Sequence, residues 1–165
     1  MRDTVGLVEP ALHPDVEPLA WLLGTWCGIG HGKYPTIQPF DYGEELVFDH
    51  VGDTYLTYSQ RSWSLDDHHA IHLERGFVRM GVGREVEWVV AHPLGLVEIA
   101  HGPVIGTAFE VATAPGLVGR TRTGLDVVSM IRRYTFRDDV LTYQLDMSTE
   151  RTPLTVHLRG ELRRT

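Results

Sequence analysis

Apolar and polar residues alternate along most of the chain after Thr25, and the period is two. In residues 44–51, Leu46 and Phe48 alternate against Glu45, Val47 and Asp49. In residues 85–91, Val86, Trp88 and Val90 share one face. That period belongs to strands. Residues 55–64 are rich in Thr, Tyr and Trp, which suit a strand. Comparable runs at 69–80, 96–101, 104–113, 127–136, 140–147 and 154–162, with the stretch from Thr25, predict about ten strands. Turns are signalled by Gly52-Asp53, Asp66-Asp67, Gly81-Val-Gly, Pro93-Leu-Gly, Gly102-Pro103 and Asp138-Asp139. Residues 115–124 hold three glycines and a proline and read as the one long loop. Turn signals spaced by roughly 8–12 residues are those of an all-β sandwich or barrel. No helix of crossover length intervenes, which argues for antiparallel pairing. The pattern alone does not separate barrel from sandwich. Ahead of the strands, residues 18–23 predict a short helix carrying Leu19, Trp21, Leu22 and Leu23, with Asp15 or Glu17 as its cap. Such a helix needs something to pack on, such as one end of a barrel. Residues 1–14, punctuated by Pro10 and Pro14, read as a loose arm, and residues 15–165 as a single domain.

Composition narrows the function classes. The chain of 165 residues suits one domain, and its 42% hydrophobic content supplies a core. No apolar run approaches the ~18 residues of a membrane-spanning helix. The net charge of −7 argues against nucleic acid and against an anionic membrane surface as partners. The single cysteine, Cys27, excludes an internal disulfide and fits a reducing compartment. The N-terminus carries no recognisable secretion signal. A cytoplasmic protein is expected, and a homodimer is allowed.

Residues 24–37 stand out against this background. Gly24, Gly28, Gly30 and Gly32 surround Trp26, and the last three glycines alternate with Ile29, His31 and Lys33. They therefore share one strand face, where glycine implies a bend or the close approach of a ligand or another backbone. A phosphate loop does not fit, because no Gly-Lys-Ser/Thr follows and the downstream chain is extended. The run Gly24-Thr-Trp-Cys-Gly-Ile-Gly matches the Gly-x-Trp-x-Gly-x-Gly signature of the nitrobindins, and Lys33-Tyr-Pro-Thr-Ile continues the match. The similarity extends through residues 42–48, 72–79 and 141–158. It therefore covers nearly the whole chain. The resemblance implies an antiparallel up-and-down β-barrel of ten strands that holds ferric haem b. It also implies that the protein binds nitric oxide and isomerises peroxynitrite to nitrate at an open iron position.

The same resemblance assigns site residues. His157 matches the family's axial ligand to the haem iron, and a neutral imidazole suits that task. Strand alternation alone places His157 with Thr155, Arg159 and Glu161, opposite Leu154, Val156, Leu158 and Leu162. A mixed cavity face or a bulge would reconcile the two. His72 opens His-Leu-Glu-Arg-Gly-Phe, which matches a segment lining the haem pocket, and Thr36 lies within the Lys33–Ile37 match. Relatives carry a lysine against the haem near the eighth or ninth strand. Here that region has arginines instead, which makes Arg122 or Arg132 the candidate partner of a propionate.

Other groupings are weaker. Asp66, Asp67, His68 and His69 are adjacent in a turn and read as a solvated hairpin rather than a metal cluster. Glu44 and Glu45 face opposite ways. Cys27 reads as a buried, inert thiol. Ser64 and Ser129 lack a nucleophile elbow. Two further readings remain open at the level of sequence: a metal-free carrier of an apolar small molecule, and haem storage or delivery without catalysis.

Overall fold

The computed structural model describes residues 10–165; the first nine residues of the expected N-terminal arm lie outside them. Ten antiparallel strands close into a barrel in which each neighbours the next in sequence and the last returns to the first. They are β1 (Gly24–Tyr34), β2 (Ile37–His50), β3 (Tyr55–Ser64), β4 (Ala70–Met80), β5 (Glu85–His92), β6 (Leu96–Ile105), β7 (Ala108–Arg120), β8 (Val127–Arg137), β9 (Val140–Thr149) and β10 (Thr155–Arg164). Every strand is paired on both sides, the β7–β8 ladder covering only Ala108–Ala112 against Ile131–Thr135. The all-β, up-and-down barrel expected from the sequence is the fold observed.

A 3-10 helix, Pro14–Leu22, precedes the barrel. Its cap is not Asp15 or Glu17: His13 takes that place, its Nδ1 accepting from the Asp15 amide at 3.2 Å. Pro14 and Pro18 both withhold backbone N–H groups, which disfavours a regular α-helix. Val16, Leu19 and Leu22 are fully buried in one cluster with Trp26, Trp88 and Phe109. The helix thus plugs one end of the barrel. Trp26 ties plug to wall, its Nε1 donating to the Leu22 carbonyl at 2.6 Å. Gly24 begins β1 at a φ of +119°, a conformation that side-chain-bearing residues rarely adopt.

The glycine face of β1 meets two kinds of neighbour. A side chain at Gly28 would run into the β10 backbone at Glu161, and one at Gly30 would run into the Tyr42 ring. Close packing inside the barrel, rather than a ligand, explains these two positions.

Three predicted boundaries are corrected. Gly102-Pro103 is not a turn. β6 runs on to Ile105, and the hairpin turns at Gly106 and Thr107, with Gly106 at a φ of +58°. Pro103 stands opposite Glu85, the first residue of β5, so its missing N–H falls at the end of a ladder. Residues 115–124 are not one loop either. β7 continues to Arg120 and absorbs Pro115 and Gly116 in an irregularity, with the pairing to β6 shifting between Glu98 and Ala100. β2 also starts earlier than predicted, at Ile37.

Candidate haem site

The end of the barrel opposite the helix opens into a cavity of about 250 Å³. Phe40, Leu96, Met130, Leu145, Met147 and Leu158 form its apolar wall, and Tyr42, Gln60, His72, Glu74 and His92 its polar floor. Around the mouth, Ile37, Ile71, Leu94 and Leu125 are between 41% and 49% exposed. Large apolar groups left half in water at a cavity mouth mark a binding surface.

His157 borders this cavity. The pairing of β10 with β9 passes from Val156↔Asp146 to Leu158↔Leu145, which leaves His157 as the extra residue of a bulge. That bulge breaks the alternation that would have placed it on the outer face. Its Nδ1 lies 3.2 Å from the Lys33 carbonyl oxygen, and its ring meets Tyr34 edge-on at 5.1 Å. A carbonyl only accepts, so Nδ1 carries the hydrogen and Nε2 keeps its lone pair. Burial pulls the His157 pKa below the ordinary imidazole value, more strongly than the Lys33 carbonyl raises it. The ring is therefore neutral at pH 7, as a metal ligand must be.

His72 forms part of the same cavity wall, with its Nε2 3.4 Å from Glu74 Oε1 and 3.3 Å from His92 Nδ1. Beneath them, Arg132 is clasped by two buried carboxylates, its Nη2 2.8 Å from Glu74 Oε1 and 2.9 Å from Glu98 Oε2. Arg132 is 3% exposed and fully engaged, so it is not available to a propionate, contrary to one of the two expectations for it and Arg122. Arg122 is exposed in the turn between β7 and β8, and Thr36 is exposed in the turn between β1 and β2. Both turns belong to the open end, next to Leu125 and Ile37 of the mouth, but neither side chain forms the cavity wall.

Glu44 is fully buried, whereas Glu45 points outward to Arg61, with Nε–Oε1 at 2.8 Å. Burial pushes the Glu44 carboxyl up to about 8, although Tyr143 and Gln60 hydrogen-bond to it. Cys27 is half-buried rather than buried, with Sγ 4.0 Å from Glu45 Oε2. Asp66, Asp67, His68 and His69 are all exposed, and Asp67 pairs with His69 at 2.6 Å. His92, Glu98 and the fixed role of Arg132 escaped the sequence reading. Only the inward direction of Glu98 left a signal: it shares a strand face with the apolar Leu96 and Ala100.

Residues 15–164 match the model of the THAP4-like, heme-binding beta-barrel domain. The chain belongs to this family. The match bears out the nitrobindin resemblance. Peroxynitrite isomerase 2 of Mycobacterium marinum is 42% identical over 155 residues, covering 93% of this chain and 96% of that protein. Peroxynitrite isomerase of Nocardia farcinica is 42% identical over 156 residues, covering 93% of each. Among solved structures, Rv2717c from M. tuberculosis superposes with a TM-score of 0.85 at 39% identity, covering 94% of this chain and 99% of that one. Haem binding is the property for which the family is described, and the cavity fits it. One neutral imidazole with a free Nε2 borders a chamber with an apolar wall, and a half-exposed apolar rim offers surface for an apolar ring to cover.

Proposed function

We propose that this protein holds ferric haem b through His157, binds nitric oxide, and isomerises peroxynitrite to nitrate in the cytoplasm. The observation that carries the reading is the His157 bulge, which sets a neutral imidazole with a free Nε2 against an apolar cavity. The names of relatives 42% identical over 93% of the chain support the reaction. When bound, ferric haem supplies a Lewis-acidic iron with one exchangeable position.

The chain's own residues supply the rest. His157 Nε2 donates its lone pair, and the Lys33 carbonyl fixes the tautomer and orientation of that ring. Phe40, Leu96, Met130, Leu145 and Leu158, which line the cavity, would pack against the haem and keep bulk water out. Arg122 and Thr36, on turns at the open end, would be polar partners for the carboxylates that haem b carries. Peroxynitrite and nitrate are isomers, so no net proton is gained or lost. Stopped-flow decay of peroxynitrite with the haem-loaded protein, with nitrate and nitrite measured in the products, tests the proposal. Faster decay with more nitrate supports it, and unchanged decay and products refute it.

A further inference from the structure

His72, Glu74 and His92 bring three donor atoms together at the cavity floor. Among the described residues they are a group whose donor atoms all lie within 4.8 Å of one another. His72 Nε2 and His92 Nδ1 are each 3.4 Å from Glu74 Oε1 and 3.3 Å from each other. The two N···O distances are long for N–H···O hydrogen bonds, which favour about 2.7–3.2 Å, while the two ring nitrogens stand at hydrogen-bonding distance from each other. All three distances match a different geometry. Three donors about 2.0–2.1 Å from a tetrahedral ion stand about 3.4 Å apart, so the triangle already has the size of one face of a zinc tetrahedron.

The surroundings are those of supported metal ligands. Glu74 Oε2 accepts from the Tyr58 hydroxyl at 2.9 Å, while its Oε1 accepts from Arg132 Nη2 at 2.8 Å. The second ring nitrogen of His92, Nε2, lies 3.4 Å from Glu98 Oε2. Arg132 Nε holds Glu98 in place at 3.1 and 3.0 Å. At 3.4 Å His92 Nε2 makes no hydrogen bond, and Glu98 is the carboxylate that faces it. Two buried carboxylates also face a single guanidinium, an excess of one negative charge that a dication offsets.

We propose that His72 Nε2, Glu74 Oε1 and His92 Nδ1 form a second metal site for a divalent ion of the zinc class. The fourth position is reachable from the cavity, because all three residues border it. Two imidazoles and one carboxylate are a donor set that zinc accepts with a fourth place left open. The proposal does not depend on His157 or on the haem reading.

The test is zinc retention by the full-length protein, with and without haem, after chelator treatment, zinc loading and gel filtration. Metal is counted by mass spectrometry and affinity measured by calorimetry. We expect one zinc per chain in the wild type, also retained by His157→Ala and His69→Ala. His72→Ala and Glu74→Gln should each weaken binding by at least about 100-fold. Glu74→Gln disturbs the Arg132 network and risks misfolding. His72, 20% exposed and outside the Arg132 contacts, keeps the test decisive by itself. Zinc retained in neither form of the wild type, or bound equally well by folded His72→Ala, would overturn the proposal, the second result showing adventitious binding only.

Discussion

His157 Nδ1 lies 3.2 Å from the carbonyl oxygen of Lys33, a contact that joins the bulge of β10 to the end of β1. It leaves Nε2 as the only basic atom of the ring. His157→Ala should therefore abolish stable haem binding while the barrel still folds, at a cost of about 1 kcal/mol, typical of point variants. The visible spectrum after haem reconstitution checks this. An unchanged Soret band in the variant contradicts it.

Gly30 sits where a side chain would enter the Tyr42 ring, and Tyr42 is itself held by a 2.6 Å hydrogen bond to the Tyr143 hydroxyl. Gly30→Val should destabilise the barrel by about 1–3 kcal/mol through overpacking and reduce haem uptake, since Tyr42 borders the cavity. Thermal melting and haem titration measure the two effects. Normal values for both contradict the packing account.

Glu44 gives the fold a pH dependence of definite sign. Its folded pKa is raised from 4.5 to about 8 by burial, so below pH 4.5 both folded and unfolded chains hold the proton and nothing is lost. As pH climbs from 4.5 to 8, only the unfolded chain releases it, and stability falls by an amount on the order of a few kcal/mol. Glu44→Gln removes that titration. Melting temperatures between pH 5 and 9 should fall less steeply in Glu44→Gln than in the wild type. Parallel curves would contradict this.

Arg132 holds Glu74 and Glu98 together in the interior. Arg132→Met leaves two buried carboxylates without their cation, at a cost of about 3–5 kcal/mol. Denaturant unfolding in the presence of chelator measures it. A loss under about 1 kcal/mol would mean that the network is not an energetic unit.

Much of the barrel was legible because period-two alternation survives wherever one face is buried, as in Val86, Trp88 and Val90. The boundaries that failed did so at proline and glycine, which end most strands but here lie within them. Pro103 does so at the end of a ladder, and Pro115 and Gly116 in the irregular part of β7. The position of His157 follows from a bulge, and bulges leave no periodic trace. The buried ion cluster was illegible for another reason. Glu74, His92 and Glu98 come from the neighbouring strands β4, β5 and β6, where the pairing register brings them together, and Arg132 reaches them from β8 across the barrel interior.

The central claim is that haem held by this chain converts peroxynitrite to nitrate. Stopped-flow decay of peroxynitrite, with nitrate and nitrite measured in the products, tests it most directly. The account predicts faster decay and a higher nitrate yield with haem-loaded protein, loss of both effects with cyanide, and no effect from haem-free protein. A haem-loaded protein that leaves both the decay rate and the nitrate-to-nitrite ratio unchanged would contradict it.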